Sequence, residues 1–236
     1  MLLYDVLKLK RKEKEAWKRV DKLIAVSNVE KKLMKRADID VVPNGVDTQN
    51  FSFRNFQEIP NEKRILYIGD FKWLQNKDAL EYILKQIWPK ISSRINAKLW
   101  IVGRNIPESI KGLAQDNNII LDENNKEETP QIFSKSYLLL APFRVAGGTS
   151  YKILEAMSSG VAIVTTHLGI EGLEAKNNVH LLSSETSLDL SNQVIELLTD
   201  HSLYKRLTLN ARKFVEEKYD WKIISKKLEE VYMSAI

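Results

Sequence analysis

Seven residues whose types could do chemistry together lie close in the middle of this chain: Arg144, Gly147, Gly148, Thr149, Ser150, Lys152 and Glu155. A glycine pair lets backbone approach a ligand with no Cβ in the way. A hydroxyl residue directly after it can start a helix, whose first amides are unpaired and attract an anion such as a phosphate. Arg144 and Lys152 could add positive charge. Glu155 could take both hydroxyls of a ribose diol on one carboxylate. Phosphate and ribose side by side describe a nucleotide. The plainer reading is an ordinary strand crossover in which Glu155 lies in water or pairs with Lys152 three residues earlier.

The flanking elements must hold that cluster in place. Tyr137–Ala141 is a short, continuously apolar run that suits a buried parallel strand, and Pro142 ends it. Thr149 or Ser150 caps the following helix, Gly160 stops it, and Val161–Thr165 runs as a second strand. Strand, helix and strand make a right-handed βαβ unit, with the helix start just beyond a strand's carboxyl end. At ~100° per residue, Ser150, Ile153, Leu154 and Met157 share the inward face and Glu155 projects roughly opposite.

The run Arg144-x-x-Gly147–Gly148–Thr149-x-x-Lys152–Ile153–Leu154–Glu155–Ala156–Met157-x-x-Gly160 closely resembles the donor-site signature of retaining GT-B glycosyltransferases of the glycogen-synthase-like group (glycosyltransferase group 1). It is most similar to the branch that builds bacterial surface polysaccharides. The run Val41–Thr48 followed by Phe51, with Pro43–Asn44–Gly45 at its turn, resembles that family's interdomain connection. The resemblance implies a remnant of an acceptor domain and linker over 1–42 and a Rossmann-like nucleotide-sugar donor domain over 43–218. It also implies a last helix over 219–236, introduced by Tyr219-x-Trp221, that crosses back toward the N-terminal segment. The fold implied is α/β, a parallel sheet with helices on both faces.

The chain departs from the family in two places. The family's first glutamate, eight residues before Glu155, falls on Gly147. The arginine and lysine that usually hold the diphosphate, in the loop after Gly69, fall on Asp70 and Gln75, with Lys72 and Lys77 nearby as substitutes. The donor-binding set that the resemblance implies is therefore Gly69, Lys72, Arg104, Arg144, Gly147, Gly148, Thr149, Ser150, Lys152 and Glu155. It names no catalytic residue and no obligatory metal or other cofactor. Relatives clasp the base with backbone near Asp122–Glu128 and border the donor sugar with the loop His167–Leu173.

Elsewhere the pattern predicts a charged helix over 4–19, strands at Leu23–Val26, Asp38–Val42, Arg64–Ile68, Lys98–Val102, Ile119–Leu121 and Val179–Leu182, and a helix from Ser27 to about Lys35. Further helices are predicted over Asp78–Ile91 (Trp88 and Pro89 at its end), Pro130–Ser134, Thr186–Leu198 and Leu203–Lys218, with a last one ending near Ser234. A chain of 236 residues, 44% hydrophobic, has enough apolar sequence for a large core. It has no cysteine, no run of eighteen apolar residues and no secretory leader pattern, so a cytoplasmic location is expected. The net charge of +5 is dispersed over helix faces, which argues against nucleic acid and leaves at most peripheral membrane contact. The three histidines, His167, His180 and His201, have no metal-ligand spacing.

Three functions compete on these grounds. The first is transfer of a sugar, with retention, from a nucleoside diphosphate donor to a glycan or lipid-linked hydroxyl. The second is a nucleotide-sugar-binding module or subunit without turnover. Either could require a separate chain supplying the acceptor half, or a homo-oligomer, docked on an apolar patch around residues 1–40. The third, a nucleotide-sugar epimerase, lacks the acid and histidine pairs that such acid–base work needs.

Overall fold

The computed structural model describes residues 2–34, 36, 38–114, 116–145 and 150–235. In chain order the elements are α1 (Leu2–Trp17), β1 (Leu23–Ala25), α2 (Asn28–Met34), β2 (Ile39–Val41), β3 (Arg64–Ile68), α3 (Leu74–Tyr82), α4 (Trp88–Ser92), β4 (Lys98–Val102), α5 (Glu108–Leu113), β5 (Ile119–Asp122), α6 (Thr129–Ser134), β6 (Leu138–Ala141), α7 (Tyr151–Ser158), β7 (Ala162–Thr165), β8 (Leu182–Ser183), α8 (Ser187–Thr199), α9 (His201–Lys218) and α10 (Trp221–Met233).

Six strands form one parallel sheet in the order β5-β4-β3-β6-β7-β8, flanked by helices. Beyond the opening Arg64 of β3 and Lys98 of β4, its central strands are apolar because both faces are covered. Ile65, Leu66, Tyr67, Leu99, Ile101 and Leu138–Ala141 are all buried. The order reverses between β3 and β6, so crossovers from these two strands diverge and leave a crevice at their carboxyl ends. A second, two-stranded parallel sheet joins β1 to β2. Ser27 Oγ accepts the Glu30 amide at 3.1 Å, and Glu30 reaches back to the amide of Val26 at 3.1 Å, a capping box displaced by one residue.

The chain end returns to this region. Val46 donates its amide to the Tyr219 carbonyl at 2.8 Å and accepts from the Trp221 amide at 3.2 Å. Thr48 Oγ1 donates to Asp220 in the same turn, and Val42 packs with Ile224, Leu228 and Val231 of α10. On α1 and α2, Tyr4, Leu7, Leu9 and Leu33 stand exposed. No helix among the described residues is long and apolar enough to cross a membrane.

Two of the expected elements differ in the structure. The helix predicted from Asp78 starts at Leu74, inside the stretch expected to be loop, and runs past Pro89 to Ser92 through a π turn at Ile83–Ile87. A proline inside an α-helix lacks a donor and clashes with the carbonyl four residues back. The wider turn, in which the Trp88 amide reaches the Ile83 carbonyl, accommodates Pro89 and lets the helix continue. The last strand is shorter and later than Val179–Leu182, since Asn177 and Asn178 first close a tight loop onto Leu181.

Candidate functional site

The crevice at the switch point is a cavity of about 340 Å³ lined from four loops. Gly69, Asp70 and Trp73 come from the β3–α3 loop, Gln75 and Asn76 from the first turn of α3, Phe143 from the end of β6, Ser150–Lys152 from the start of α7, and Leu168 and Gly169 from beyond β7. Ligands of open parallel α/β sheets bind in this position.

The Lys152 ammonium is the best-defined group there. It donates to the Ile68 carbonyl at 2.6 Å and to Asn76 Oδ1 at 3.0 Å, and lies 5.1 Å from the ring centres of both Tyr67 and Phe143. Burial among these groups pulls its pKa down to about 8, against a smaller upward pull from Glu155. Asn76 is itself buried and fixed, its amide donating to the Asp70 carbonyl at 2.8 Å. The i,i+3 pairing of Lys152 with Glu155 is therefore not what the structure contains. Glu155 is half-buried on α7 and makes no hydrogen bond or ion pair among the described residues, and burial raises its carboxyl pKa. Ser150 is the N-cap of α7, but its hydroxyl makes no capping bond, so the first-turn amides have no side-chain acceptor among the described residues.

Gly69 ends β3 against Gly103, the end of β4. A Cβ on Gly103, at φ +146°, would run into the Gly69 carbonyl oxygen, and a Cβ on Gly69 would meet Asn76 and the Lys152 ammonium at 2.9 and 3.1 Å. Lys72 and Arg104 lie outside the cavity lining on exposed loop. Lys72 contributes its backbone amide to Asp70 at 2.9 Å, and the Arg104 guanidinium lies 3.7 Å from the same carboxylate. Those contacts and Asn105 hold the Asp70 carboxyl below the usual range. Arg144 is clamped in two hydrogen bonds to Asp78, at 2.7 and 3.0 Å, over the ring of Tyr82. It ties the β6 loop to α3 and does not line the cavity. Gly147, Gly148 and Thr149 lie outside the described residues. Sequence reasoning missed Asn76, Trp73 and Tyr151 as cavity residues. Asn76 lies in the first turn of α3, within a stretch that the sequence reads as loop, so no local signal singled it out.

The histidines have other partners. His167 faces Glu185 at 3.0 Å, His180 stacks on Phe214, and His201 lies 3.4 Å from the Tyr137 hydroxyl. Among the described residues no three histidine, cysteine or acidic side chains cluster as a metal site would require.

Residues 62–200 match the family model described as glycosyl transferases group 1. The chain is 24% identical over 228 residues to an uncharacterized 44.6 kDa protein in the cps region of Klebsiella pneumoniae, covering 93% of this chain and 58% of that one. It is 25% identical over 214 residues to N-acetyl-alpha-D-glucosaminyl L-malate synthase of Bacillus anthracis, covering 84% and 54%. It thus spans little more than half the length of these curated relatives. The fold matches that of GT-B glycosyltransferase structures. An example is the Anabaena protein HepE, solved with UDP and glucose (TM-score 0.75, 15% identity, 91% of this chain and 63% of that one). With a model match over more than half its residues, the chain belongs to the glycosyl transferases group 1 family.

Proposed function

We propose that this chain carries the donor half of a retaining glycosyltransferase, and that residues 43–218 bind a nucleoside diphosphate sugar at the β3/β6 crevice. Residues 1–42 are then the tail of an acceptor domain, and 219–236 the helix that braces it. The observation that carries the reading is the convergence of α7's amino end, where Ser150 makes no side-chain capping bond, and the Lys152 ammonium on one cavity at the switch point. Both favour an anion. In the reaction, the bond from the anomeric carbon to the diphosphate oxygen breaks and a bond to the acceptor hydroxyl oxygen forms, with that hydroxyl's proton released. Negative charge gathers on the leaving diphosphate, where fixed amides and a cation lower the barrier. Glu155 holds the ribose. The relative from a cps region supports a role in cell-surface polysaccharide synthesis, with a glycan or lipid-linked acceptor.

A second reading, a binding subunit completed by a separate acceptor-half chain or by another copy, is favoured by β1 and β2. Parallel sheets are ordinarily larger and covered on both faces, whereas these two three-residue strands leave Ile24 exposed. Calorimetric titration with nucleoside diphosphates and their sugars, without added metal, tests the site. Saturable binding of one diphosphate, lost in Glu155→Ala, supports donor binding, and absence of any binding overturns it. Transfer to an acceptor by the chain alone separates the two readings.

A further inference from the structure

The loop that follows Gly69 lacks basic residues at the two places where the resemblance puts them, and Lys72 and Arg104 project from exposed loop beyond the cavity lining. A cation within hydrogen-bond reach strengthens the hold on a diphosphate. Among the described residues lining the cavity, Lys152 is the sole lysine or arginine.

An ammonium has three donors. Two are committed, to the Ile68 carbonyl and to Asn76 Oδ1, and the bonding atoms belong to a strand end and a side chain that cannot swing away. Asn76 is only 8% exposed, and its own amide is locked on the Asp70 carbonyl. It is also braced from below, because its backbone carbonyl accepts the Tyr67 hydroxyl at 3.0 Å. The ring centres of Tyr67 and Phe143 each lie 5.1 Å from the ammonium. A lysine side chain has many rotamers, and this arrangement leaves it one.

We infer that Asn76 is a positioning residue which, with the Ile68 carbonyl, aims the third N–H of Lys152 at a phosphate of the donor diphosphate, and that this pair fills the role of the missing basic residues. The inference rests on the nucleotide-sugar reading above. It assigns the phosphate contact to α7 and the start of α3, and leaves Lys72, Lys77 and Arg104 on the outside.

The test compares the affinity of the full chain for uridine, guanosine and adenosine diphosphates with that for the matching nucleosides. Lys152→Met is expected to weaken the diphosphate that binds by about 10- to 100-fold and its nucleoside by less than about twofold. Lys152→Arg retains the charge and serves if the methionine variant fails to fold. It is expected to lose less than Lys152→Met. Asn76→Ala frees the ammonium and is expected to cost the diphosphate about 3- to 10-fold, again sparing the nucleoside. Asn76→Asp, nearly the same shape, is expected to cost more than Asn76→Ala, because a carboxylate beside the cavity captures the lysine and repels the ligand. A merely structural role for Asn76 would weaken nucleoside and diphosphate alike, and that result overturns the inference. So does a larger diphosphate loss in Lys72→Ala than in Lys152→Met. Wild-type protein that binds none of the diphosphates overturns the nucleotide reading itself, a result distinct from binding that survives Lys152→Met.

Discussion

Arg54 and Lys152 are two cations withdrawn from water at opposite ends of the same sheet, and α7 runs between them. Arg54 sits at the amino ends of β6 and β7, against the carboxyl end of α7. Its guanidinium donates to the carbonyls of Gly160 (3.2 Å), Ser136 and Tyr137 (3.0 Å) and meets the Tyr204 hydroxyl. Every nitrogen is engaged, and the helix end supplies partial negative charge. Lys152 lies in the first turn of α7, where the helix field opposes a cation, with two acceptors and a cavity in front of it. Neither is paired with a carboxylate among the described residues. The first arrangement is a closed staple. The second is electrostatically incomplete, and an anion completes it.

If this contrast holds, the two cations respond to opposite measurements. Arg54→Met strands three carbonyl groups in the core and is expected to destabilise the fold by about 3–5 kcal/mol, lowering the melting temperature by roughly 10 °C. Any folded fraction is expected to bind nucleotide as before. Thermal unfolding with and without ligand checks both parts. Next in size, Glu155→Ala is expected to weaken the bound nucleoside diphosphate by about 2 kcal/mol, whereas Lys72→Ala changes it by less than about 0.5 kcal/mol. Equal losses in calorimetry would dissolve the assignment of Glu155 to the ribose.

A smaller effect should come from pH. The Lys152 pKa of about 8 means that its charge is present below that pH and is lost above it. A bound phosphate favours the charged form, so the midpoint in the complex lies at or above this value. Diphosphate affinity is therefore expected to fall about tenfold between pH 7 and 9.5, a range in which the phosphates themselves no longer titrate. Lys152→Met should flatten that profile. Arg54, bonded to carbonyls at the opposite end of the sheet, should contribute nothing to it.

Much of the sheet was legible because buried parallel strands are written as unbroken apolar runs. Arg64–Ile68, Lys98–Val102 and Tyr137–Ala141 each stand between turn residues at nearly their observed bounds. The long helix after β3 was misread at its start, Leu74 in place of Asp78, while its end at Ser92 lies one residue from the expected Ile91. Its buried positions Ala79, Ile83, Ile87 and Ile91 recur every fourth residue, a spacing that drifts by ~40° per step around a regular α-helix. The π turn absorbs that drift, so the spacing was itself the signal. The setting of Lys152 was illegible for a different reason. Its partners, Ile68 and Asn76, lie more than seventy residues away in sequence, and no local period records a contact made by strand order.

The abutting glycines Gly69 and Gly103 have a kinematic consequence. With no side chains between them, the ends of β3 and β4 are bonded directly, Gly69 N–H to the Val102 carbonyl and Phe71 N–H to the Arg104 carbonyl, and Asp70 holds Asn105 beyond. The two loops form one stiff panel, so neither can swing without carrying the other. The wall that these two loops give the cavity is therefore set before any ligand arrives.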